Sequence, residues 1–161
     1  MWVLLGDRLI VYLYENDSSD KTRTLLRLWS AHTRVQNRLT HTRNLPGIRT
    51  ERLAACRNQL WEQAVMNEAR IVVVIDADYR GRLDVDALLS QITGCRHIAC
   101  FAASRPYLYD QWALRDAAYD YADVFREGLF KYLARWPLVV APTEVRQVKS
   151  AFNGLGVYNI T

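Results

Sequence analysis

Residues 71–81 read IVVVIDADYRG, five β-branched residues that stop at two aspartates one residue apart. A β-branched run of this length, bounded by polar residues, predicts a strand. Because the run has no polar alternation, both of its faces must be covered, as in a central strand with helices on each side. That requirement narrows the chain to layered folds built around one sheet.

The rest of the sequence repeats the same grammar. Three further apolar runs, LIVYLY (9–14), HIACFAA (97–103) and LGVY (155–158), predict strands, and VQNRL (35–39) a weaker one before the turn N-L-P-G at 44–47. Helical spacing falls between them. It places Leu25, Leu28 and Trp29 in 20–32, and Leu53, Cys56, Leu60 and Ala64 with Trp61 and Val65 in 49–65. Shorter and longer helices are predicted over 85–92 and 117–136. Strands alternating with helices give an α/β domain with a mostly parallel central sheet. At 161 residues, half of them apolar, the chain is long enough for one domain with its own core.

Charge and cysteine content exclude several classes. The net charge is +4, and 18 of the 21 basic residues are arginines spread along the chain. No block of like charge suggests a nucleic-acid tail, so no nucleic-acid partner is expected. Cys56, Cys95 and Cys100 are odd in number and lack C-x-x-C spacing, which points to reduced thiols in a cytoplasmic setting. The opening MWVLLGDR has neither a basic leader nor an apolar stretch of membrane-spanning length, so no transmembrane segment is expected.

In open α/β sheets, ligands bind beyond the carboxyl ends of the strands. Two acidic clusters fall at such ends: Glu15, Asn16 and Asp17 after the first strand, and Asp76 and Asp78 after the mid-chain one. Two carboxylates near one another repel unless a cation neutralises them, and hard oxygen donors suit Mg²⁺ or Mn²⁺. A polar turn after a strand explains so short a D-x-D pattern equally well. In ENDSSDKT (15–22), Ser19 or Asp20 is a good helix cap. Capping leaves Glu15 and Asn16 over, placed where hydrogen bonds could read a base.

Two more segments carry chemistry. Arg49, Arg52 and Arg57 lie roughly on one face near the start of a helix, where the dipole and the guanidinium groups both favour an anion. Ion pairs with Glu51 and Glu62 are the alternative use of these arginines. Residues 105–116, RPYLYDQWALRD, mix aromatic rings with Asp110, Arg115 and Asp116. Aromatic faces stack on sugar rings while carboxylates and arginines bond hydroxyls; a loop with buried aromatics is the plainer reading, Trp112 included.

Taken in chain order, YENDSSDKT (14–22), RTERLAACRN (49–58), VVVIDADYRG (72–81), YLYDQWALRD (107–116) and KSAFNGLGVY (149–158) resemble nucleotide-sugar glycosyltransferases of the GT-A fold. The set is similar to fungal capsule-associated α-1,3-mannosyltransferases and to related bacterial and viral transferases. The resemblance implies a single three-layer α/β/α, Rossmann-like domain over 1–161, abbreviated at both ends relative to that family. It implies that Glu15, Asn16, Asp17, Arg52 and Arg57 bind the nucleotide. Asp76 and Asp78 would hold Mn²⁺ or Mg²⁺. Trp112, Arg115, Ser150, Asn153 and Gly154 would line the sugar and acceptor side.

The expected reaction is transfer of a sugar from a nucleoside-diphosphate sugar to a hydroxyl of a glycan or glycoprotein. Asp110, or failing that Asp116, would take the acceptor's proton if configuration inverts. Two alternatives stay open. One is a non-catalytic nucleotide-sugar-binding module. The other is a phosphatase of the haloacid dehalogenase type, whose first aspartate attacks phosphorus. Arg80 stands where that second motif has Thr or Val.

Overall fold

The apolar run at 9–14 becomes strand β1, Ile10–Asn16, and extends two residues further than its hydrophobicity indicates. The reason is its partner. Strand β2, Gln36–Thr42, runs parallel to it over seven residue pairs, from Ile10 opposite Gln36 to Asn16 opposite Thr42. Ladder hydrogen bonds therefore carry polar residues at the ends of both strands. The computed structural model describes residues 8–77, 82–94, 98–102, 147–149, 151–152 and 154–160. Its contacts fall into two units, Met1–Asn67 and Glu68–Thr161.

In the first unit, helix α1 (Thr22–His32) joins β1 to β2, and helix α2 (Arg49–Met66) follows. Side chains alternate across a strand, so odd and even residues of β1 and β2 face opposite ways. The side-chain bonds between α1 and the strands reach the odd face. Arg23 meets Glu15, and Ser30 pairs with Asn37, which also donates to the Ser30 carbonyl at 3.2 Å. The bonds from α2 reach the even face, with Gln63 Nε2 donating to Thr40 Oγ1 at 3.3 Å. One helix thus lies on each face of the parallel pair.

The periodicity of α1 was right and its orientation was not the apolar one. Leu25, Leu28 and Trp29 point to solvent, 61%, 52% and 37% exposed, while Arg23, Leu26 and Ser30 turn toward the sheet. The odd face explains this, because it presents Glu15, Asn37 and His41, which need polar partners. On α2, Cys56, Leu60 and Ala64 turn inward as the spacing predicts, whereas Leu53 and Val65 are exposed. The turn before α2 ends at Gly47, with φ 97°. A Cβ there would stand 2.6 Å from Glu51 Oε2, the oxygen that accepts the Ile48 N–H at 3.1 Å at the helix start.

The second unit contains β3 (Ile71–Ile75), helix α3 (Val85–Gly94), β4 (Ala99–Phe101) and β5 (Leu155–Asn159). Its sheet departs from the expected parallel arrangement. Strand β5 lies between β3 and β4 and runs antiparallel to both. Since β3 and β4 each oppose β5, they run the same way, with α3 between them in sequence. A strand drawn from the far end of the chain has taken the central place. Leu88 of α3 packs with Leu155 and Val157 of β5, flanked by Ile71, Val73, Leu83, Ile92 and Ala102. Asp84 opens α3, its carboxylate accepting the Ala87 N–H at 2.9 Å. Strand β4 is shorter than the run at 97–103, and Ile98 is 87% exposed. The helix expected over 117–136 lies outside the described residues.

The architecture is therefore mixed α/β, with one parallel pair and one antiparallel three-stranded sheet.

Candidate functional site

Parallel pairing decides where the first site forms. The carboxyl ends of β1 and β2 share one rim, with Glu15 opposite His41 and Asn16 opposite Thr42. The loop 17–21 leaves the first strand there and the loop 43–48 leaves the second. Residues distant in sequence, ENDSSD and HTRN, are thus neighbours in space.

Asp17 joins the two loops. It adopts a left-handed backbone (φ 56°), as does Asn44 (φ 55°), a conformation that Asp and Asn tolerate better than most residues. The Asn44 N–H donates to both Asp17 carboxylate oxygens, at 3.0 and 2.9 Å. Asn16 Nδ2 donates to Asp17 Oδ2 at 3.0 Å and reaches Thr42 Oγ1 at 3.4 Å. Tyr14, on the same strand face as Asn16, shares a 2.8 Å hydrogen bond with the Thr42 hydroxyl.

Glu15 is buried, with 3% exposure, the one buried charged side chain among the described residues. Its Oε1 accepts the Ser18 N–H at 2.7 Å, and its Oε2 accepts from Arg23 Nε at 3.3 Å and contacts His41 Nδ1. Burial alone would push this carboxyl up. The bonds from Ser18, His41 and Arg23 outweigh it and hold the carboxyl down at about 2. The N-cap position of α1 falls on Lys21, without a side-chain cap, rather than on Ser19 or Asp20; Asp20 accepts the Thr22 N–H at 2.9 Å, and hydrogen bonds from the Thr22 side chain and backbone lower its pKa.

Around these groups lies an open hollow of about 330 Å³, lined by Asp17, Ser18, Asp20, Arg23, Thr24 and Arg43. Paired carboxylates and guanidinium groups in a concave rim can hold a polar ligand through both anions and hydroxyls. Arg23, Arg43 and His41 were not singled out in the sequence. Two signals could have found them. HTRN (41–44) follows a strand that, if parallel to β1, must end at the same rim. Arg23 opens a helix whose preceding loop is already there.

The arginines of α2 are placed differently from one another. Arg52 is exposed near the helix start, and Arg57 is half-buried two turns along from Arg49. Beside Arg57 is Cys56, whose thiol is pushed up by burial, with the Tyr14 hydroxyl and the Arg57 charge acting against that. Neither Cys56 nor Cys100 is in a disulfide.

In the second unit, Asp76 follows β3 and its N–H donates to the Gly154 carbonyl at 3.0 Å. Gly154, with φ 80°, turns the chain into β5. The antiparallel register thus brings together one residue expected to hold metal and one expected near the donor sugar. Asp78, Asp110, Trp112, Arg115, Asp116, Ser150 and Asn153 lie outside the described residues. Among the described residues, no group of three or more His, Cys, Asp or Glu is arranged to hold a metal ion. No helix among them is long and apolar enough to cross a membrane. No family profile matches the chain, and neither does any curated protein or solved structure.

Proposed function

We propose that the protein is a nucleotide-sugar glycosyltransferase of the GT-A kind, moving a sugar from a nucleoside diphosphate to a hydroxyl of a glycan or glycoprotein. The observation that carries the proposal is the polar hollow at the shared carboxyl ends of β1 and β2. Open α/β sheets take their ligands at that position. Support also comes from Asp76, a hard oxygen donor at the end of β3, anchored through its backbone to Gly154.

In this reading Asn16, Asp17 and the arginines of the rim and of α2, Arg52 and Arg57 among them, bind the nucleotide. Asp76 and Asp78 would hold Mn²⁺ or Mg²⁺, which would supply positive charge against the leaving diphosphate. Trp112, Arg115, Ser150, Asn153 and Gly154 orient sugar and acceptor. Asp110 or Asp116 takes the acceptor's proton in an inverting reaction. The gain comes from holding donor and acceptor in line and from neutralising the departing charge.

Calorimetric titration of UDP- and GDP-sugars, with and without Mn²⁺, tests the proposal. Metal-dependent binding that Asp78→Ala abolishes supports it, provided sugar release follows on adding an acceptor. Binding without turnover assigns the chain to a binding module. Phosphate release from a monoester, lost in Asp76→Asn, assigns it to a phosphatase. Either result overturns the transferase.

A further inference from the structure

Glu15 sits buried at the strand tip, its carboxylate turned to the protein. It is 3% exposed; the Ser18 N–H and Arg23 Nε donate to its two oxygens, and His41 Nδ1 lies in contact with Oε2. Each of these three groups belongs to a different element, namely the loop after β1, the first turn of α1 and strand β2.

Two of the three, Ser18 and Arg23, line the hollow themselves. The bond to Ser18 also closes the turn that contains Asp17, whose left-handed backbone carries its carboxylate to the Asn44 N–H. Asn44 is the neighbour of Arg43, a fourth element of the lining.

We propose that Glu15 is the positioning residue of this rim: its buried carboxylate sets the loop 17–20 and the Arg23 guanidinium in the places that shape the hollow, without touching what the hollow receives. This assigns Glu15 a different task from the base-reading one suggested by its place in the sequence. The consequence for nucleotide binding rests on the function proposed above. The loop itself can be measured with no nucleotide present.

Glu15→Gln is the informative substitution. A glutamine has nearly the same shape but one acceptor oxygen instead of two, so either the Ser18 N–H or Arg23 Nε must face an amide NH₂. Backbone hydrogen exchange of the ligand-free full chain then separates positioning from general stability. The Ser18 amide is expected to exchange about tenfold faster in Glu15→Gln, with Asn44 following. The strand amides of Leu13 and Leu39 should stay within about twofold of wild type.

Unchanged exchange at Ser18 overturns the proposal. Equal acceleration of loop and strands also overturns it, since Glu15 would then serve only overall stability. If Glu15→Gln does not fold, Glu15→Asp decides. It keeps the negative charge but draws the carboxylate back by one methylene from Ser18 and Arg23. Selective acceleration at Ser18 supports the assignment, and no change refutes it.

Discussion

The Asn44 amide stands 3.0 and 2.9 Å from the two carboxylate oxygens of Asp17, tying the loops that leave two parallel strands. The residues are 27 apart in sequence, and both have left-handed backbones. The rim of the candidate site is therefore held across the strand pair by a side chain, beyond the last ladder bond.

Asp17→Ala should destabilise the chain by about 1 kcal/mol, because alanine supplies no acceptor and tolerates positive φ poorly. Asp17→Asn should cost clearly less, since asparagine accepts the bond and accommodates the backbone. Urea unfolding of the two variants checks the order. Equal losses would remove the argument for the tie.

Glu15 is held ionised down to about 2, below the ordinary glutamate value. A lowered folded-state pKa stabilises fully above the unfolded value, about 4.3, and that contribution fades as pH falls toward the folded value. The thermal midpoints of wild type and Glu15→Gln should therefore differ most near pH 6 and converge between about pH 4.3 and 2. A gap that stays constant across this window would show that the bonds to Ser18, His41 and Arg23 do not stabilise the ionised form.

Gly156 lies in buried strand β5, where a Cβ would come within 3.0 Å of Tyr158 Cε2, 3.2 Å of Phe101 Cδ1 and 3.3 Å of Phe152 Cδ2. Two of those rings, Phe101 and Tyr158, already pack edge to face at 5.7 Å. Gly156→Ala should cost about 1–3 kcal/mol through overpacking. A neutral result in chemical denaturation would mean that the rings have room to shift.

Leu88 and Leu28 are both helical leucines with opposite expectations. Leu88 is 5% exposed and packs against β5, so Leu88→Ala should lose about 2–5 kcal/mol. Leu28 is 52% exposed, and Leu28→Ser should stay within about 0.5 kcal/mol. A large loss at Leu28 would show that the outward strip of α1 is covered in solution.

The order of the described elements was legible in the sequence because it follows from local chemistry. Apolar runs such as IVVVI and helical spacing such as Cys56, Leu60 and Ala64 need no knowledge of the rest of the chain. The acidic tips at Glu15–Asp17 and at Asp76 could be placed at strand ends for the same reason. What no local pattern contains is which strand lies beside which. Pairing β1 parallel to β2 brought Arg43 and Asn44 to the rim, and pairing β5 antiparallel between β3 and β4 set Gly154 against Asp76. The orientation of α1 was decided in the same way. Its leucines and tryptophan carry the periodicity, but buried Glu15 and half-buried Asn37 demanded polar partners, and Arg23 and Ser30 satisfied them. Local sequence sets each element's period; burial of polar groups and strand pairing, which depend on residues far apart in the chain, set which face turns inward and which residues meet.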